Sequence, residues 1–131
     1  MLTTKARANR ALIVSLEAIE AIDIDEFLVA KGWDPSVVVQ TADQARRMLM
    51  LSEQTMQAFS LAVFGLNANS PDLGPFLDIC AEQAVRVLHL NGETKLEPAD
   101  NISTLARPFT TQDLDASLRA LGFLELNGHE I

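Results

Sequence analysis

Short apolar runs alternate with longer segments of mixed polarity along most of the chain. Residues 11–15 (ALIVS), 36–40 (SVVVQ), 59–65 (FSLAVFG), 85–90 (VRVLHL) and 103–107 (STLAR) read as five strands. Their apolar positions do not alternate with polar ones, which points to a parallel sheet buried on both faces. The intervening segments read as helices. Residues 17–31 carry helix formers but no clean apolar stripe, and Gly32 ends them as a cap. Thr41 caps a helix over 42–52. Residues 72–82 place Leu73, Phe76, Leu77 and Cys80 at helical spacing, and 94–100 form a short helix interrupted by Pro98. Thr110 and Asp113 resemble a capping box that starts a last helix, with Leu114, Leu118 and Leu121 on one face and Gly122 at its end. Five βα units with right-handed crossovers make a three-layer α/β sandwich.

Composition narrows the class. A chain of 131 residues, 48% hydrophobic, suits one domain with a real core. No apolar run approaches the ~20 residues that span a membrane, and ALIVS is too short for a signal-peptide core. The single cysteine, Cys80, excludes an internal disulfide and a cysteine-based zinc site. These features favour the cytoplasm. Net charge is −8, although Lys5, Arg7 and Arg10 stand in the first ten residues without an acid. Residues 1–9 therefore read as a flexible basic arm on an acidic body, which disfavours direct nucleic-acid binding.

Catalytic patterns are missing. Neither G-x-G-x-x-G after the first strand nor G-x-x-x-x-G-K-[ST] occurs. His89 falls inside the fourth strand and is expected to be structural; His129 lies in the tail. Cys80 reads as a small core residue and Met48, Met50 and Met56 as core filler. Trp33, after a capping glycine, is expected to pack over the sheet edge. No nucleophile–base pair or metal cluster supports an enzyme, and no cofactor is expected.

The order of these segments resembles the receiver domain of bacterial response regulators, over residues 10–122. ALIVSLEAIEAIDIDEFLVAKGW is similar to that family's first strand, acidic pair, helix and Gly-aromatic ending. Ser15 and Leu16 stand at the acidic-pair positions, Glu17 at the usual Glu, and Gly32-Trp33 at the ending. SLAVFGLNANSPDLG resembles the third-strand segment, with Gly65 where the phosphorylated Asp belongs. VRVLHLNG puts Asn91 at the Thr/Ser position, and ISTLARPFTTQDLDASLRAL puts Arg107-Pro108-Phe109 in place of Lys-Pro-Phe, with Thr104 at the aromatic switch position. The resemblance implies a CheY-like, flavodoxin-like (βα)5 fold with sheet order 2-1-3-4-5.

It also implies a degenerate phosphorylation pocket of Ser15, Leu16, Gly65, Asn91 and Arg107. Mg²⁺ takes one or two carboxylates in near-octahedral order, and neither Ser15 nor Leu16 offers one. Without the metal the charge on a transferred phosphoryl group is not neutralised, and Gly65 has nothing to attack phosphorus. Arg107 keeps a positive charge there with no acid at the matching sites, and Asp72 reads as a carboxylate at a helix start. The expected function is a phosphorylation-independent pseudo-receiver in a two-component-type pathway. It would work by contact with a protein partner, a histidine kinase or another signalling protein. The alternative is a small-anion sensor using Arg107 and Asn91. Residues 123–131 form a tail in which Phe123, Leu124 and Leu126 are large and apolar. Either they fold back over the N-terminal end of the sheet, or they join Leu118 and the last helix, or the first helix, in a homodimer face.

Overall fold

The computed structural model describes residues 9–55, 58–66, 72–90 and 101–123. In chain order they form β1 (Ala11–Val14), α1 (Ala18–Ala30), β2 (Val37–Val39), α2 (Ala42–Thr55), β3 (Leu61–Phe64), α3 (Leu73–Glu82), β4 (Arg86–Leu90), β5 (Ile102–Leu105) and α4 (Thr111–Ala120). All strand pairs are parallel, in the order β2-β1-β3-β4-β5. The expected (βα)5 sheet order is therefore the observed one. The expected helix over 94–100 lies outside the described residues, as do the arm 1–8, Met56, Asn91, Leu124, Leu126 and His129. Among the described residues no helix is long and apolar enough to cross a membrane.

Two cores follow from the alternation of Cβ directions along each strand. Ala11 and Ile13 face one layer with Ile24 and Leu28 of α1 and Leu114 and Leu118 of α4. Leu12 and Val14 face the other, with Leu49 of α2 and Phe76 and Cys80 of α3. Both faces of β1 and β3 are fully buried, which is why their sequences show no polar alternation. The methionine expectation holds only in part. Met48 packs at the edge of the second core, whereas Met50 is 45% exposed and accepts a contact from Arg46 at 3.6 Å.

The ends of α1 and α4 are built alike. Each closes with a glycine in the left-handed region, Gly32 (φ 94°) and Gly122 (φ 98°). In each, the amide of the following aromatic donates back to a carbonyl five residues earlier, Trp33 to Leu28 (3.1 Å) and Phe123 to Leu118 (2.9 Å). This double bond pattern turns the chain and directs both aromatics under the sheet's N-terminal edge. There the two rings meet edge to face at 5.2 Å between centroids. Arg86, at the start of β4, lies 5.3 Å over the Phe123 ring.

Phe123, the first residue of the expected tail, is buried in the core with Trp33. Leu118 is fully buried in the same core, so neither is free for a homodimer face. At the other end, Asn9 is anchored. Its carbonyl accepts from the Asp34 amide (2.9 Å) and its side-chain oxygen from the Ser60 hydroxyl (2.8 Å). The helix starts behave as read. Thr41 accepts from the Gln44 amide (3.0 Å), and Thr110 and Asp113 complete a reciprocal capping box.

Candidate functional site

The C-terminal ends of β1, β3 and β5 converge on one edge of the sheet, where ligands bind in open α/β folds. Strand β5 ends at Leu105, earlier than the expected 107, so Arg107 stands in the turn before α4 and its side chain can reach across the edge. The Arg107–Pro108 peptide is cis.

The Arg107 guanidinium lies against Glu20, in the first turn of α1. Its Nε donates to Glu20 Oε2 at 2.7 Å and its Nη2 to Oε1 at 2.8 Å, a bidentate fork. The same Nη2 donates to the Gly65 carbonyl at 2.9 Å. Ser15 completes the cluster. It is buried, its hydroxyl accepts from the Glu17 amide (3.0 Å), and it approaches Glu20 Oε1 at 3.3 Å. The Glu20 hydrogen bonds raise the Arg107 pKa above its ordinary value, against a smaller opposing effect of burial; the charges of Glu20 and Glu17 add to the rise.

Arg107 therefore has an acid partner, contrary to the sequence expectation. Glu20 was missed, though a signal for it exists. Glu20, Ile24 and Leu28 recur at four-residue spacing, which places the carboxylate at the top of α1's buried stripe. An acid in line with core positions needs a partner, and Arg107 is that partner.

The pair explains Gly65. A Cβ at this position would lie 3.0 Å from Arg107 Nη2, 3.2 Å from the Val14 carbonyl oxygen and 3.3 Å from Glu20 Oε1. The volume a side chain would take is already occupied by the ion pair. Mg²⁺ does not fit the residues present, in line with the expectation that this pocket holds no metal. The Ser15 hydroxyl is bonded, Leu16 is a hydrocarbon, and both Glu20 oxygens are held by Arg107. Among the described residues no group of three or more His, Cys, Asp or Glu could hold a metal ion.

Around the cluster lies an open groove of about 950 Å³, lined by Leu16, Ile19, Gly65, Leu66, Pro108 and Phe109 among others. Leu16 is 69% exposed, Ile19 75% and Ile22 54%. The acidic-pair position at Leu16 thus points to solvent, and α1 presents apolar residues on its outer side as well as its inner one. Asp72, the N-cap of α3, is left-handed (φ 67°) and makes no side-chain cap bond.

Two buried groups are chemically quiet. His89 is fully buried beside Phe64, and neither ring nitrogen has a hydrogen-bond partner. Burial pushes its pKa below the ordinary value; proximity to the Leu66 backbone opposes this and the Arg107 charge adds to it. Cys80 is buried, and desolvation pushes its thiol up to about 12.

A five-stranded parallel sheet in this order, with its working edge where β1, β3 and β5 end, is the fold of response-regulator receiver domains. The chain is similar to a response regulator receiver protein from Sinorhizobium medicae WSM419, with a TM-score of 0.69 and 23% identity, over 90% of this chain and 98% of that one. It is also similar to the PhyR stress response regulator (TM-score 0.64, 22% identity, 89% of this chain and 46% of that one). The anti-anti-sigma factor PhyR from Bartonella quintana gives 0.62 and 21%, over 94% of this chain and 51% of that one. The chain spans about half the length of the two PhyR chains. No family model and no curated protein matches the sequence. At these identities the likeness establishes the fold.

Proposed function

We propose that the protein is a receiver-type signalling module of the cytoplasm that works by protein–protein contact and without phosphorylation. The observation that carries this reading is the Arg107–Glu20 pair seated against Gly65. It takes the space of a phosphoacceptor side chain and engages both oxygens of the Glu20 carboxylate. The exposed apolar residues Leu16, Ile19 and Ile22 beside the groove supply a surface of the kind that partners bury. A histidine kinase or another signalling protein of a two-component-type pathway fits as that partner. A small-anion sensor built on Arg107 has to contend with Glu20, which already holds the guanidinium.

Incubation with acetyl phosphate and Mg²⁺, followed by intact-mass measurement, tests the reading. No added phosphoryl group is expected. A stoichiometric, hydroxylamine-labile adduct would overturn it.

A further inference from the structure

Strand β2 forms one edge of the sheet, paired with β1. The Val39 carbonyl accepts from the Ser15 amide (3.0 Å), so Val37 and Val39 turn their backbone groups toward β1. Alternation then turns those of Ser36, Val38 and Gln40 outward, along the open edge. Two of these three outward amides are taken by side chains. Ser36 donates to Asp25 Oδ1 of α1 at 2.8 Å, and Gln40 donates to Gln44 Oε1 of α2 at 2.9 Å. Helices on opposite faces of the sheet thus each send one acceptor to the same edge.

The edge also has an apolar reason to be covered. The Val38 side chain stands on the α1 side of the sheet, because its register partner Ile13 faces that layer, and it is 49% exposed. The Asp25–Ser36 bond places one flank of α1 over β2. Ile22 and Val29, one turn to either side of Asp25, lie on that flank and are exposed as well. An antiparallel pairing with a second copy, on a twofold axis at Val38, would set Val38 against its own copy and Ser36 against Gln40 of the other chain. All of these are hydrogen-bonded positions, in which each residue both donates and accepts. The amides engaged by Asp25 and Gln44 are the ones such a pairing would use on either side of Val38.

We infer that the β2 edge is a latent self-association surface for a second copy of this chain, and that Asp25 and Gln44 are guards which close it by occupying the flanking amides. Loss of the guards leaves an apolar strand edge with its donors open.

This surface is not the groove, and failure of the inference would leave the interaction-module reading standing, because phosphoryl uptake is read separately by mass. The test compares the full-length protein with Asp25→Ala combined with Gln44→Ala, by sedimentation velocity over a range of concentrations. Exchange of the Val38 amide is followed by NMR in the same samples. The double variant is expected to self-associate at least tenfold more tightly than the unaltered protein, and to protect its Val38 amide as it does so. Adding Val38→Lys, which puts a charge on the edge, is expected to restore the behaviour of the unaltered protein. Should the double variant fail to fold, Gln44→Ala alone keeps α1 tied to β2 and is scored in the same way. A folded guard variant that associates no more tightly than the unaltered protein would overturn the inference. So would association that leaves the Val38 amide unprotected or survives Val38→Lys, since the contact would then lie elsewhere.

Discussion

Gly65→Asp replaces the one backbone position that separates this pocket from a phosphoacceptor, and the structure sets its consequence. The new Cβ arrives 3.0 Å from Arg107 Nη2, 3.2 Å from the Val14 oxygen and 3.3 Å from Glu20 Oε1. The Val14 oxygen cannot retreat, because it sits in a buried strand and accepts from the residue-65 amide at 2.7 Å. The ion pair must give way instead. Overpacking of this kind costs about 1–3 kcal/mol, and loss of glycine freedom in the unfolded chain offsets about 0.4–1 kcal/mol. The new carboxylate is attracted by Arg107 and repelled by Glu20, two effects of opposite sign in the same cluster. A net loss of about 1–2 kcal/mol follows, which lowers Tm by about 3–10 °C in a domain of this size. Circular dichroism melts measure the shift, and intact mass after acetyl phosphate and Mg²⁺ measures labelling. No labelling is expected, since Ser15 and Leu16 still provide no carboxylate for the metal. Robust labelling of the single variant would refute the metal argument, and an unchanged or raised Tm would refute the steric one. Ser15→Asp and Leu16→Asp added to Gly65→Asp are the changes expected to restore labelling.

Phe123→Ala should destabilise the monomer by about 3–5 kcal/mol, the usual cost of emptying a buried aromatic site; light scattering and urea denaturation would contradict the fold-back if a dimer dissociated with stability unchanged. His89→Leu should stabilise the protein by about 1–3 kcal/mol, because it removes two buried ring nitrogens without partners. His89 has a depressed folded pKa, so its unfolded form binds the proton first. Stability is therefore complete above the ordinary histidine pKa of about 6.5 and falls as pH drops below it. Denaturant midpoints from pH 8 down to pH 5 should slope less in His89→Leu than in the unaltered protein. Cys80, with its thiol near 12 and no exposure, should resist iodoacetamide in the native protein and react in urea.

The frame of the fold was readable because it rests on local rules. Four apolar residues in a row at 11–14 declare a strand buried on both faces, and Gly32-Trp33 and Thr110-Asp113 mark helix ends by their own chemistry. The residue types at the C-terminal edge of the sheet were readable too, since each is a single-position fact. The pairing of Arg107 with Glu20 was not, because they are 87 residues apart and only the closed sheet brings them together. The apolar residues of α1 also mislead. Ile19, Ile22 and Val29 are exposed, so they blur the stripe of Ala21, Ile24 and Leu28 on which Glu20 would have stood out. The meeting of Trp33 with Phe123 was hidden for the same reason as the ion pair.

The position of β1 between β2 and β3 has a consequence for the nascent chain. Its register partner Leu61 lies roughly 50 residues after Ala11. At about 5–20 residues per second, synthesis leaves that edge of β1 unpaired for roughly 3–10 s. During that interval Ala11–Val14 is an apolar strand with open backbone donors and acceptors, the kind of segment that seeds aggregation. Lys5, Arg7 and Arg10, immediately upstream, place three like charges beside it. Two emerging chains that paired there in parallel register would bring those charges together, and like charges side by side disfavour such pairing.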